Sequence, residues 1–107
     1  MTNKYIYVAG PYSNGDPVLN TRKAIEAGEQ LQEKGFVPFI PHITLLWHLV
    51  SPHDIDYWYE YDNEWIARCD GLLRLPGHSN GADNEVLLAI SLGLSVYYNI
   101  EELIGDR

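Results

Sequence analysis

Short apolar runs and amphipathic segments alternate along the chain, and this pattern predicts parallel β-strands joined by helices. The apolar runs of strand length are residues 5–9, 36–40, 71–75 and 94–98. The segments with helical spacing are residues 17–34, 43–50, 57–69, 81–93 and a short stretch after residue 98. Gly35 follows the first helical segment as a C-cap residue. We therefore expect a sheet of about four strands with helices on both faces, joined by right-handed crossovers.

The order of the strands decides where a ligand would bind. In parallel sheets, ligands bind beyond the carboxyl ends of the strands, where the strand order reverses. If the order is 2-1-3-4, this crevice lies between the first and third strands. Residues 10–13 would then form one wall and residues 76–85 the other. Both loops are rich in Gly, Ser and Asn, which suits close backbone approach, although plain turns have the same composition. The loop residues expected to contact a ligand are Gly10, Pro11, Tyr12, Ser13, Gly77, Ser79, Asn80 and Gly81.

Two carboxylates fall on helical faces that are otherwise apolar. With 100° of turn per residue, Asp62 lies on the aromatic side of its helix, between Trp58 and Ile66. Glu85 lies among the apolar positions of the segment 81–93. A buried carboxylate without a partner is unfavourable, so each of these groups needs a partner, a cavity or a chemical role.

Together, the two carboxylates indicate chemistry at a glycosidic bond. The helix dipole would keep Glu85 ionised, within the first turn or so of its helix, for attack on an anomeric carbon. Asp62 would share a proton with it, protonate the leaving base, and then activate water or another acceptor. Retaining glycosyl transfer uses such a pair about 5–5.5 Å apart. Tyr7, on the first strand, is expected to hydrogen-bond Glu85.

Each of these three residues also has a purely structural interpretation. Asp62 is explained equally by capping a loop or by pairing with a buried arginine. Glu85 is explained by a carboxylate that the helix dipole favours, and Tyr7 by an aromatic residue of the strand. The case for a catalytic site rests on the three coinciding at one predicted crevice.

Four further residues are candidates for contacts in the crevice or its surroundings. His42 directly follows the second strand and is expected to line the mouth of the pocket. Asn20 lies on the small-residue face of the first helix and is expected to reach the crevice. Arg74 is a cation near the end of an apolar strand, and it would pair with a site carboxylate, meet a phosphate, or extend to solvent at the sheet edge. Trp47 is interpreted as a core residue, with a stacking wall for a base as the alternative.

Composition narrows the classes of partner. The chain of 107 residues predicts one domain over residues 1–107, and its net charge of −8 argues against nucleic acid or an anionic membrane as a partner. No apolar run has the length of a membrane span, and no signal-peptide pattern is seen. Cys69 is the single cysteine, so it cannot form an internal disulfide, and it is interpreted as a small core residue. We therefore expect a cytoplasmic protein. The histidine spacing fits no metal motif, and we expect neither a metal nor another cofactor.

The segments Ile6-Tyr-Val-Ala-Gly-Pro-Tyr-Ser and Gly81-Ala-Asp-Asn-Glu, with Asp62 eight residues before Asp70, resemble the nucleoside 2-deoxyribosyltransferase superfamily. This superfamily includes the 2′-deoxynucleoside 5′-monophosphate N-hydrolases and small uncharacterised domains. The resemblance implies a flavodoxin-like, Rossmann-like fold and a covalent glycosyl-enzyme on Glu85, assisted by Asp62 and Tyr7. It also implies a homo-oligomer, most simply a homodimer.

One departure from the transferases concerns the substrate. They carry an acidic residue six positions before the nucleophile, and this chain has Ser79 there. A serine resembles the monophosphate hydrolases, in which it helps to hold the phosphate. The leading hypothesis is therefore cleavage of the N-glycosidic bond of a nucleoside or its 5′-monophosphate, with water as acceptor. The alternatives are base exchange by a deoxyribosyltransferase, a nucleotide-binding module without catalysis, and a small structural or interaction protein.

Overall fold

The computed structural model describes residues 4–106, which form an α/β domain around one parallel sheet. The strands are β1 (Tyr5–Ala9), β2 (Val37–Phe39), β3 (Gly71–Arg74) and β4 (Ser95–Tyr97). The α-helices are α1 (Pro17–Glu33), α2 (Leu45–Val50), α3 (Ile55–Ile66), α4 (Asn80–Ser91) and α5 (Ile100–Gly105), and a 3₁₀ turn covers Pro41–Thr44. Among these residues, no helix is both long enough and apolar enough to cross a membrane.

The strand order is β2-β1-β3-β4, and every neighbouring pair is parallel, as the sequence predicts. Tyr7 pairs with Phe39 on one side and with Leu72 on the other, so it lies in the middle of the sheet. Strand order reverses between β1 and β3. The loops that follow these two strands therefore border the crevice where ligands bind in folds of this kind.

Alternate residues of β1 supply the two hydrophobic cores, one on each face of the sheet. Ile6 and Val8 pack toward α1 and α5, whereas Tyr7 and Ala9 pack toward α3 and α4. Helices therefore cover both faces, which confirms the predicted fold class. The buried stripe of α1 contains Ala24, Ala27, Gly28 and Leu31, as its spacing predicts.

Gly28 allows α1 to lie close to the chain that follows β2. A Cβ atom at this position would stand 2.5 Å from Cδ1 of Ile40, which is shorter than any normal contact. Gly35 has φ +90° at the end of the helix, and this conformation suits the predicted C-cap.

The helix boundaries differ from the predicted ones where side-chain caps act. The aromatic helix begins at Ile55 instead of residue 57, because the carboxylate of Asp54 accepts the backbone N–H of Tyr57 at 2.9 Å. It ends at Ile66, so Cys69 lies beyond the helix and is only partly buried beside the core. Trp47, interpreted as a core residue, is 44% exposed and packs edge-on against other aromatic rings. That interpretation was wrong because α2 has no buried residue.

Candidate active site

A cavity of about 740 Å³ opens beyond the carboxyl ends of β1, β2 and β3. One wall comes from the loop after β1, another from the loop after β3 with the start of α4, and a third from α2 and α3. This is the crevice that the strand order predicts, and its volume suits a small-molecule ligand. Among the predicted contact residues, those lining it are Gly10, Tyr12, Ser13, His42, Ser79, Asn80 and Gly81.

Both unusual carboxylates, Asp62 and Glu85, line this cavity. Asp62 reaches it from α3, and Glu85 reaches it from α4, although 23 positions separate them in the chain. The two helices pack against the same face of the sheet. The α3 and α4 segments therefore place two acids, predicted separately from their helical positions, in one cavity.

Tyr7 fixes the position of Glu85 from behind the cavity wall. Its hydroxyl donates a hydrogen bond of 2.5 Å to Oε2 of Glu85, and its side chain is completely buried. Burial raises the pKa of Tyr7 well above its ordinary value, and the charges of Glu85 and Asp62 raise it further. The phenol therefore stays protonated and donates. Because Tyr7 does not line the cavity, it is a positioning residue for Glu85.

Burial raises the pKa of Glu85 to about 7. The hydrogen bond from Tyr7 opposes this shift, the nearby Asp62 adds to it, and the charge of Arg74 opposes it. The helix dipole was expected to keep Glu85 ionised, but α4 begins at Asn80 and Glu85 is in its second turn. The dipole effect fades within the first turn. That expectation was therefore wrong, and Tyr7 and Arg74 supply the stabilisation of the ionised form.

Asp62 has no comparable donor. Burial raises its pKa to about 7, and its buried Oδ1 atom has no hydrogen-bond partner among residues 4–106. Asp62 therefore neither caps a loop nor pairs with an arginine, which were its structural alternatives. When the two acids share one proton, the hydrogen bond that Tyr7 donates to Glu85 stabilises the charged form of Glu85, so the proton is favoured on Asp62.

Arg74 is buried, and it is held within the protein instead of lining the cavity. Its guanidinium donates to the backbone carbonyls of Leu75 and Gly77, and it forms a 2.9 Å ion pair with Asp83. Asp83 does not line the cavity. The group therefore fastens the loop after β3 to the first turn of α4, and its charge acts on Glu85 from a distance.

Pro11, Asn20 and Gly77 were also predicted to contact a ligand, but they lie outside the main cavity and line a smaller one beside it. The side-chain amide of Asn20 donates to the backbone carbonyls of Tyr12 and Asn14, both at 2.9 Å. Asn20 thus holds the loop after β1 in place. Pro11 accepts a hydrogen bond of 3.0 Å from Nε2 of His42 through its carbonyl.

The walls are set by local backbone features. Ser79 is the N-cap of α4, and its hydroxyl accepts the backbone N–H of Ala82 at 3.0 Å. His42 is buried, which lowers its pKa, while its contact with the carbonyl of Pro11 acts in the opposite direction. A neutral His42 is therefore favoured.

The described residues contain no group of three or more His, Cys, Asp or Glu side chains suited to hold a metal ion.

Sequence reasoning missed the third wall, which includes His48, His53, Trp58 and Tyr59. These residues lie on α2, on α3 and in the loop between them, the least regular part of the predicted pattern. The aspartate cap of α3 is the signal that could have located this wall, because it starts the helix at Ile55, one turn before Tyr59 and two turns before Asp62 on the face toward the cavity.

Comparisons with known proteins agree with this architecture. A family model described as a domain of unknown function, DUF4406, matches residues 4–98. No curated protein matches the chain. Among solved structures, a 2-deoxyribosyltransferase from the psychrotolerant bacterium Bacillus psychrosaccharolyticus is similar, with a TM-score of 0.62 and 22% sequence identity. The similarity covers 86% of this chain and 69% of that one, and it confirms the expected likeness of fold.

Proposed function

The chain belongs to the DUF4406 family, and we propose that it cleaves the N-glycosidic bond of a nucleoside or its 5′-monophosphate. This small family is related to the nucleoside 2-deoxyribosyltransferase superfamily, which supports a substrate of the nucleoside class. The observation that carries the proposal is the arrangement of acids in the cavity. Glu85 is held by Tyr7, and Asp62 lines the same cavity with its buried Oδ1 unpartnered among the described residues 4–106.

The proposed reaction is a double displacement. The Glu85 carboxylate attacks C1′ of the sugar, and the bond from C1′ to the base breaks as Asp62 transfers its proton to the departing base. This leaves a glycosyl ester on Glu85 and a charged Asp62. Asp62 then takes a proton from water, whose oxygen bonds to C1′ and releases the Glu85 carboxylate. The products are the free base and the sugar or sugar phosphate.

The charge arrangement suits both steps. Glu85 must be ionised to attack, and the hydrogen bond from Tyr7 stabilises that form. Asp62 must carry a proton in the first step, and burial without a donor favours the protonated acid. Groups with a pKa near the working pH can serve first as an acid and then as a base. Water is the proposed acceptor; a second base in its place would make the protein a transferase.

The direct test is release of free base. Purified protein is incubated with a panel of nucleosides and 5′-monophosphates, and products are separated by chromatography. We expect base release by the wild type, loss of it in Glu85→Ala and Asp62→Asn, and a glycosyl adduct on Glu85 detected by mass spectrometry after rapid quenching. The matched control is Glu29→Gln, which changes an exposed carboxylate on α1.

Three outcomes would change the proposal. Base release by Glu85→Ala at the wild-type rate would remove Glu85 from the reaction. Exchange with an added second base, faster than hydrolysis, would identify a transferase. Saturable binding with no base released, and with little effect of Glu85→Gln on affinity, would indicate a nucleotide-binding module.

A further inference from the structure

His48 is held in one tautomer by its neighbours. Its Nδ1 atom lies 2.8 Å from the indole Nε1 of Trp58 and 3.3 Å from the backbone nitrogen of His53. An indole N–H and a backbone N–H can only donate, so Nδ1 must accept both bonds. In a neutral imidazole, the proton must then be on Nε2. Trp58 and His53 thus determine which face of the His48 ring is a donor.

The remaining N–H of His48 is free to meet a ligand. His48 lines the main cavity, and its Nε2 has no hydrogen-bond partner within residues 4–106. Nε2 is also absent from the buried atoms that lack partners, so it is accessible. An accessible hydrogen-bond donor therefore belongs to a residue of the wall that sequence reasoning missed.

The two sides of the cavity differ in chemistry. The wall around His48 includes the apolar and aromatic side chains of Leu45, Ile55 and Trp58, which suit the flat faces of a base. The opposite wall is the polar start of α4 with Ser79 and Asn80, which suits a sugar or its phosphate.

On the basis of the proposed function, we infer that His48 selects the leaving base, with Nε2–H donating to an exocyclic carbonyl oxygen. The substrates would then be nucleosides or nucleotides of 6-oxopurines or 4-oxopyrimidines. An amino group in the same place would point its own N–H toward that of His48, and both donors would lack acceptors. Leaving these donors unpaired weakens binding by about tenfold or more, and sites built on one hydrogen bond discriminate strongly against analogues that cannot make it.

The test compares substrates whose bases differ in one exocyclic group and in the protonation of the ring nitrogen beside it. The pairs are the 5′-monophosphates of 2′-deoxyinosine and 2′-deoxyadenosine, and those of 2′-deoxyuridine and 2′-deoxycytidine. We expect kcat/KM to favour the oxo member of at least one pair by about tenfold or more. His48→Phe keeps a ring and removes the donor, so this ratio should fall toward one. Equal kcat/KM values for both members of both pairs in the wild type would overturn the inference.

Trp58→Phe tests the tautomer itself. It keeps an aromatic ring and removes the shorter of the two hydrogen bonds to Nδ1, which leaves only the 3.3 Å bond from the backbone N–H of His53 and weakens the preference for the tautomer protonated on Nε2. We expect kcat/KM for the amino substrate to rise severalfold above the wild-type value, a gain that simple loss of packing would not produce. Nitrogen-15 spectra should show an unprotonated Nδ1 in the wild type and a mixture of tautomers in the variant. The matched control is Trp65→Phe, because Trp65 stacks on Phe39 and does not line the cavity.

Binding measurements separate this inference from the proposed function. The same four nucleotides are titrated calorimetrically into the Glu85→Ala protein. A preference for oxo bases in binding, without base release by the wild type, would sustain the role of His48 and refute the catalysis. Base release by the wild type, without a preference for oxo bases, would sustain the catalysis and refute the role of His48. If the protein neither binds these nucleotides nor releases base, both the role of His48 and the proposed catalysis are refuted.

Discussion

The hydroxyl of Tyr7 and Oε2 of Glu85 lie 2.5 Å apart, although 78 positions separate these residues in the chain. One belongs to an inner strand of the sheet and the other to a helix packed on it. The hydrogen bond therefore joins the innermost layer of the fold to the candidate nucleophile.

Removing this donor should alter the pH dependence of the reaction. In Tyr7→Phe, the pKa of Glu85 rises because the hydrogen bond that lowers it is gone. Since Glu85 must be ionised, the acidic limb of the kcat profile should move to higher pH. Loss of a hydrogen bond to a charged group, about 1.5–3 kcal/mol, corresponds to a fall in kcat of about 10- to 100-fold. Tyr5→Phe is the matched control, because Tyr5 is an exposed tyrosine of the same strand. An unchanged profile in Tyr7→Phe would contradict the positioning role.

The buried acids should make the folded state less stable as pH rises. Asp62 and Glu85 have a pKa of about 7 in the folded protein, against ordinary values of 3.8 and 4.5. Between about pH 4 and pH 7, the folded state therefore binds more protons than the unfolded chain. The free energy of unfolding should be highest at the acidic end of this window and fall as pH rises through about 7.

The substitution Asp62→Asn should make the free energy of unfolding depend less on pH. The amide cannot ionise, so we expect the variant to be roughly 1–3 kcal/mol more stable than the wild type at about pH 8, with the difference shrinking toward zero below about pH 4. Urea unfolding at several pH values measures this, and Glu29→Gln should follow the wild type throughout. A loss of stability in Asp62→Asn at the alkaline end would show that the carboxylate has a partner that stabilises it.

Two arginine pairs with similar geometry should differ in their effect on stability. Arg74 is buried and bonded to two carbonyls and Asp83, whereas Arg68 forms an exposed 3.0 Å pair with Glu64. Arg74→Met leaves the loop carbonyls without donors and should lower the free energy of unfolding by about 2–4 kcal/mol. Arg68→Met should change it by less than about 1 kcal/mol. Chemical denaturation of both variants checks the difference, and equal losses would contradict the fastening role of Arg74.

Close packing of α1 can be tested at Gly28. In Gly28→Ala, the new methyl group meets Cδ1 of Ile40, so we expect a loss of about 1–3 kcal/mol, even though alanine favours a helix. Ile40→Val removes Cδ1 and should restore most of the loss in the double variant. Gly105→Ala is the control, because nothing lies within 4 Å of a Cβ there. Additive effects of the two substitutions would show that α1 shifts instead of clashing.

Much of the fold follows from local patterns. Each strand is a short apolar run, and the buried stripe of α1 can be identified from its spacing, so the sequence predicted the elements. The order 2-1-3-4, on which the position of the crevice depended, is the observed one. The placement of Asp62 and Glu85 at the crevice also followed from helical periodicity. Such patterns depend on residues that are near one another in the chain. The fold class then leaves only a few ways to connect the strands and helices.

The missed features depend on side chains that are distant in the sequence or on caps. The pairing of Arg74 with Asp83 is made across a loop, and the bond from Trp58 to His48 joins two helices. Neither pair has a periodic signal. Glu85 was expected within the first turn or so of its helix, but it is the sixth residue of α4, beyond the turn in which the dipole acts. The expected homodimer stays a prediction, which sedimentation can check.

The helix α2 has no buried residue, whereas Tyr7 is enclosed between two neighbouring strands. Exchanges on α2 thus disturb little of the packing that holds Tyr7 and Glu85. Substitutions on this exposed helix can therefore change which ligands the pocket accepts, while the buried pair of Tyr7 and Glu85 keeps its geometry.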